Sequence, residues 1–193
     1  MTNSSEPGFL DALAALNQAL DDIDAPSMVI GGVAVIALGV ARLTVDIDAT
    51  IQGRSSDPER MLKIFAQHDI QPRIAGASEF ARSRQIVLAR HRASGVSIDA
   101  SLAWLPFEEE AIQFSQVADY SGISIRVPRP EDLIIYKLVA GRPQDLDDVE
   151  KLLAFYKGKL SLDRIRSWIQ QFSEVLEGPD RLAILEQLLE RVP

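Results

Sequence analysis

From Thr44 to Gln52 the chain alternates, and the alternation puts carboxylates on one side. Val45, Ile47 and Ala49 share one face of this segment, and Thr44, Asp46, Asp48 and Thr50 share the other. A period of two is the spacing of a β-strand, where successive side chains leave opposite faces. The segment is therefore a half-buried strand that presents two carboxylates to one side of a sheet. Neighbouring carboxylates on a sheet repel each other and are destabilising unless cations neutralise them.

Two further features belong with this strand. Gly31-Gly32 is separated from Asp46 by thirteen residues and lies between a short apolar strand at 27–30 and an Ala- and Val-rich helix expected at 33–41. A glycine pair there lets backbone approach closely and leaves helix N-terminal amides facing an anion such as a triphosphate. Asp99 lies in Ser97-Ile98-Asp99-Ala100-Ser101, inside an apolar strand where a lone charge is costly to bury. Were the two strands neighbours, Asp46, Asp48 and Asp99 would converge. The chain has no cysteine and only His68 and His91, so a metal site here is built from oxygen ligands. Oxygen ligands point to magnesium, manganese or calcium. A pair of such cations activates an attacking oxygen and stabilises a leaving pyrophosphate.

Elsewhere the pattern predicts a helix over 9–23, with Leu10, Leu13, Leu16, Leu20 and Ile23 at helical spacing. A polar turn follows at 52–57, with Asp57 and Pro58 as N-cap and first residue of a helix running to about His68. A short strand is expected at 71–74. A hairpin is expected from strands at 85–92 and 96–102 joined by Ala93-Ser94-Gly95. A helix over 106–117 and a last strand over 123–127 complete this part. From Pro130 the pattern is wholly helical, with helices near 130–139, 145–156, 162–172 and 180–191. The expected fold is α/β (α+β). A small, mixed, twisted sheet with helices on one side occupies residues 1–128, and a helical subdomain over 129–193 walls its cleft.

The arrangement Gly-Gly, Asp-x-Asp and a later strand Asp resembles the nucleotidyltransferase superfamily of DNA polymerase beta. It is most similar to the bacterial AbiEii/AbiGii-type branch, which includes toxins of toxin–antitoxin systems. Three stretches carry the likeness, which spans about residues 28–153. They are Gly31-Gly32-Val33-Ala34 with Arg42-x-Thr44-x-Asp46-Ile47-Asp48, Gly95-Val96-Ser97-Ile98-Asp99, and Pro130 to Leu138 continuing into Arg142-Pro143-Gln144-Asp145-Leu146-Asp147-Asp148. Many superfamily members have Gly-Ser where this chain has Gly31-Gly32, so a phosphate-holding hydroxyl is missing here.

The resemblance implies a transferase that moves a nucleoside monophosphate from a triphosphate, ATP among the candidates, to an RNA end (such as that of tRNA) or a protein. It implies Mg2+ or Mn2+ on Asp46, Asp48 and Asp99, and nucleotide contacts from Gly31, Gly32, Arg42, Thr44 and Lys137. It also implies that Asp145 and Asp148 line or brace the cleft, and that a cognate toxin or antitoxin is a partner. The alternative is a degenerate or regulatory module that binds nucleotide or a partner without catalysis.

Several residues have plainer readings. Lys137 sits in an apolar helix and could instead snorkel to the surface. Asp145 looks like a helix N-cap. Arg82, Arg84, Arg90, His91 and Arg92 read as the charged edge of a hairpin, and Trp104 and Trp168 as packing residues. A net charge of −8 argues against extended DNA binding. Residues 1–8 lack a basic leader, and the apolar run at 28–40 is too short to span a bilayer. A cytoplasmic protein without membrane contact is expected.

Overall fold

The computed structural model describes residues 8–53, 57–176 and 178–192. The expected turn at 52–57 therefore lies partly outside the described residues. Helix α1 (Phe9–Ile23) leads to β1 (Ser27–Ile30), α2 (Gly31–Ala37) and β2 (Asp46–Gln52). Then come α3 (Pro58–Gln67), β3 (Ile70–Pro72), α4 (Ala77–Arg84), β4 (Ile86–His91) and β5 (Ser97–Ala103). The chain continues through α5 (Pro106–Gln113), β6 (Gln116–Tyr120) and β7 (Ile123–Val127), and then through α6 (Pro130–Ala140), α7 (Pro143–Phe155), α8 (Leu162–Val175) and α9 (Arg181–Arg191).

Five strands form a mixed sheet in the order β1-β2-β5-β4-β3. Only β2 and β5 run parallel, and they do so in a register that sets Asp48 directly beside Asp99. One face of this sheet is apolar. Ile47, Ala49 and Ile51 of β2, Ile98, Ala100 and Leu102 of β5, and Val87 and Ala89 of β4 are all buried there. They join one continuous core with Leu13, Leu16 and Leu20 of α1 and with Met61, Ile64 and Phe65 of α3. The other face carries Asp46, Asp48, Ser97 and Asp99 and stays partly open. It closes two residues beyond Asp48, where the fully buried Thr50 lies beneath Tyr136 of α6.

The helices after Pro130 are tied to α5 by a charged staple. Asp132 of α6 is fully buried and accepts from Arg129 (2.7 Å) and from Arg164 of α8 (2.8 Å). Arg164 also pairs with Glu110 of α5 at 2.7 Å. Rings reinforce the same junction, with Phe107 packed edge-on against Trp168 and Phe172. Among the described residues no helix is long and apolar enough to cross a membrane.

The structure departs from the sequence reading in several places, among them Leu10, which is exposed, and β3, which starts one residue early and ends at Pro72. Helix α2 includes the two glycines and stops at Ala37, because Gly39 takes a φ of +94° and passes under the ring of Phe155, where a Cβ would lie 2.8 Å from Cζ. Val45 is exposed, since β2 starts one residue later. Helix α5 ends at Gln113, and β6 follows it to form a separate two-stranded sheet with β7. Their link, Ser121-Gly122, has positive φ at both residues, the geometry of a two-residue hairpin. Helix α4 occupies a stretch for which no helix was expected. Its polar sequence buries only Ala77 and Ala81. Trp104 is 61% exposed, whereas Trp168 packs as expected.

Candidate active site

The site forms where β1, β2 and β5 meet helices α2, α6 and α7. Alternation along β2 sends Asp46 and Asp48 to the same side, and the parallel register adds Asp99 from β5. Thr44 orients Asp46: its hydroxyl lies 3.1 Å from the Asp46 carbonyl oxygen and 3.2 Å from Oδ1.

Both glycines are required by what surrounds them. Gly31 has a φ of +64°, and a Cβ on it would sit 2.8 Å from Cγ of Asp48. At Gly32 a Cβ would lie 2.6 Å from Oγ1 of Thr44 and 2.9 Å from Cζ of Arg42. The loop thus lies directly against the carboxylates. Gly31→Ala is expected to push Asp48 aside and to strain the backbone at once. A drop of roughly 1–3 kcal/mol in unfolding free energy, measured by urea titration, checks this. An unchanged midpoint would refute the close approach.

The electrostatics follow from crowding. Burial, then the neighbouring charges of Asp46 and Asp99, raise Asp48 above the usual carboxylate range, against the opposing pull of Lys137 and Arg142. Asp99 is raised as well, by burial first, although Arg73 lowers it. Arg73 donates to Asp99 Oδ1 and to Ser97 Oγ (3.3 Å). Nothing in the sequence pattern singles out Arg73, which simply follows the short strand β3. Its backbone amide bonds to Leu88 of β4, and this hydrogen bond brings it over the sheet face.

A charged network backs the site. The ammonium of Lys137 is buried and lies 2.9 Å from Asp145 and 2.8 Å from Asp148. It does not snorkel. Arg42 holds Asp148 at 2.5 Å. Asp145 is not the N-cap of α7: the helix begins at Pro143 after Arg142, and the Asp145 carboxylate turns inward. Burial acts to raise its pKa, but hydrogen bonds from Arg142 and Lys137 outweigh that, and Asp145 lies below the usual range. Asp147 faces outward and pairs with Lys151. A recess of about 150 Å³ opens between Gly31, Asp48, Tyr136, Lys137, Arg142 and Asp145.

The basic cluster does not converge here, and Arg82 and Arg84 belong to α4 and not to the hairpin edge. Arg82 pairs with Glu59, Arg92 with Asp69, and His91 is buried against Ser94.

Among the described residues no three carboxylates or imidazoles are drawn together into a ready metal cage. The donor set nevertheless suits a hard divalent cation. It is all oxygen, it shares one face, and the charge of Asp46 disfavours ionisation of both Asp48 and Asp99.

Residues 9–181 match the model of a family described as "Nucleotidyltransferase of unknown function (DUF6036)". No curated protein matches the chain. Solved structures with a similar fold include ANT(2")-Ia in complex with adenylyl-2"-tobramycin, 17% identical, with a TM-score of 0.56 over 84% of this chain and 95% of that one. The solution structure of the antibiotic-resistance factor ANT(2'')-Ia gives 18% identity and a TM-score of 0.56, over 93% and 95%. An antigenic nucleotidyltransferase-like protein from Paracoccidioides brasiliensis gives 14% and 0.53, over 92% of each chain. At such identities the likeness is one of fold.

Proposed function

The chain belongs to the DUF6036 family of nucleotidyltransferases, and from that premise we propose that it transfers a nucleoside monophosphate to an RNA end or a protein with the help of Mg2+ or Mn2+ on Asp46, Asp48 and Asp99. The observation that carries this reading is the in-register pairing of Asp48 with Asp99, beside a glycine loop that leaves no room for a side chain. A divalent cation there would offset most of the charge of the three carboxylates and polarise phosphate oxygens. Gly31 and Gly32 let backbone amides come close to the triphosphate. Thr44 holds Asp46 in place, while Arg42 and Lys137 position the loop and α7 through Asp148 and Asp145. Asp99 takes the proton of the acceptor hydroxyl. The acceptor oxygen then bonds to the α-phosphorus, the α–β bridging bond breaks, and pyrophosphate leaves.

Helices α6 and α7 wall the cleft, with α8 and α9 packed behind them, and residues 129–193 act as a subdomain in this role. The sequence resemblance to the AbiEii/AbiGii-type branch, which the family match does not extend to, is the ground for proposing a toxin–antitoxin setting, and a cytoplasmic location is proposed from the sequence alone. The bound product named for ANT(2")-Ia adds an aminoglycoside hydroxyl to the acceptors worth offering.

Thermal unfolding with ATP, GTP, CTP and UTP, with and without magnesium, tests the site. One triphosphate at a hundred times its dissociation constant is expected to stabilise the protein by about 2.7 kcal/mol. The effect should need magnesium and vanish in the Asp46→Ala/Asp48→Ala variant. No shift with any triphosphate would sink the proposal. A second reading, a module that binds nucleotide or a partner without catalysis, is favoured by the ion pair between Arg73 and Asp99. Magnesium-dependent binding with no pyrophosphate released in the presence of tRNA, cell protein or aminoglycoside would select it.

A further inference from the structure

Two cations, Lys137 and Arg142, line the recess and a third, Arg42, joins their network through Asp148, and the structure separates the three by what they are already doing. Lys137 is buried and spends its ammonium on Asp145 and Asp148. Arg42 spends its guanidinium on Asp148 and on the carbonyl of Leu43. Two cations thus balance two buried carboxylates. Drawing Lys137 toward a ligand would strip Asp145 and Asp148 of a buried partner, which is strongly unfavourable.

Arg142 is the surplus charge. Its side chain is 74% exposed, unlike its two neighbours in the network. Nε and Nη2 are fixed on the two oxygens of Asp145, at 2.5 and 3.3 Å, and Nη1 makes no hydrogen bond among the described residues. A two-point grip sets the plane of the guanidinium, and Lys137 in turn anchors the carboxylate that grips it. The backbone is equally constrained. Gly141, at a φ of +65°, ends α6, and Pro143 opens α7, so Arg142 is a fixed point between two helices. The fork borders the recess shared with Gly31 and Asp48.

Resting on the reading of this site as a triphosphate site, we infer that Arg142 is the side chain that contacts the β- and γ-phosphates, with Lys137 and Asp145 serving as its mount. A planar, permanently charged fork matches phosphate oxygens better than an ammonium does. It also adds positive charge beside Asp46 and Asp48 without burying it.

The test is calorimetric titration of magnesium with ATP, GTP, CTP or UTP, and with the corresponding monophosphates, into wild type, Arg142→Ala, Arg142→Lys and the surface control Asp147→Ala. Arg142→Ala should weaken triphosphate binding roughly tenfold or more and leave monophosphate binding nearly unchanged, while the two hydrogen bonds lost to Asp145 lower its melting temperature without unfolding it. Arg142→Lys should recover only part of the loss, and Asp147→Ala should bind as wild type. Wild-type triphosphate affinity in Arg142→Ala would overturn the assignment while leaving the nucleotide site intact. Equal weakening of tri- and monophosphate would overturn it too, because the contact would then not be to the added phosphates. A wild-type protein that binds none of these nucleotides would remove the nucleotide reading and this assignment together.

Discussion

Asp48→Asn is expected to lower nucleotidyl transfer by at least about two orders of magnitude, the scale of loss when one preorganised charged group at a reacting centre is removed. In magnesium-free buffer the same substitution is expected to raise the melting temperature. Both effects share one cause. Asp48 is partly buried beside Asp46 and Asp99, and the folded protein bears that repulsion whenever no cation is present. Asparagine keeps the volume and the fit under Gly31 but carries no charge, so the repulsion goes. Its amide cannot supply the ligand charge that a hard cation requires. Differential scanning calorimetry with and without magnesium separates the two. The wild type should gain from magnesium and the variant should not. A variant that melts below wild type in the absence of metal would show that the carboxylate is not under electrostatic strain.

The second large effect is on stability. Lys137→Met is expected to lower unfolding free energy by about 3 kcal/mol, the lower end of the range for breaking a buried ion pair. For a chain of this size that corresponds to roughly 6–12 °C in melting temperature. Methionine fills the aliphatic space, but Asp145 and Asp148 then share only Arg142 and Arg42. The pH dependence has a definite sign. Because the pKa of Asp145 is depressed in the folded protein, its stabilisation is present above the unfolded value near 3.8 and is lost as pH falls through the folded value. The gap between wild type and variant should therefore stand at neutral pH and narrow below about pH 4. A gap that does not change with pH would mean that the lost stability is packing alone. Activity lost in this variant has to be read beside its melting curve, because the same ammonium supports the mount of Arg142.

The sheet was legible because its strands obey simple rules. Alternation marked β2, the Gly95 turn marked the β4–β5 hairpin, and a period-two reading put Asp46 and Asp48 on one side. Asp57 caps α3 as expected, accepting from the amide of Glu59. What escaped has physical reasons. Helix α4 is polar almost all round and buries only two alanines, so it shows no apolar stripe to find. Strand β6 could have been found from Ser121-Gly122, a turn dipeptide between two short β-prone runs. Arg73 could not, because its role depends on which strand lies beside β3, a long-range fact. Asp145 was misread as a cap because an acidic residue early in a helix is the ordinary signature of one. Only the packing of α6 against α7 shows that its carboxylate turns inward to a buried lysine.

The parallel pairing of β2 with β5 also governs how the molecule assembles. Asp48 and Asp99 sit side by side in space but about fifty positions apart along the chain, so their meeting requires closure of a long loop before any contact offsets its entropy. The hairpin β4–β5 is local and forms without that closure, whereas the carboxylate face does not exist until the closure is complete. Repulsion among the acids therefore opposes only the final stage. Divalent cations bound at that face would relieve it, and are then expected to slow unfolding more than they hasten refolding.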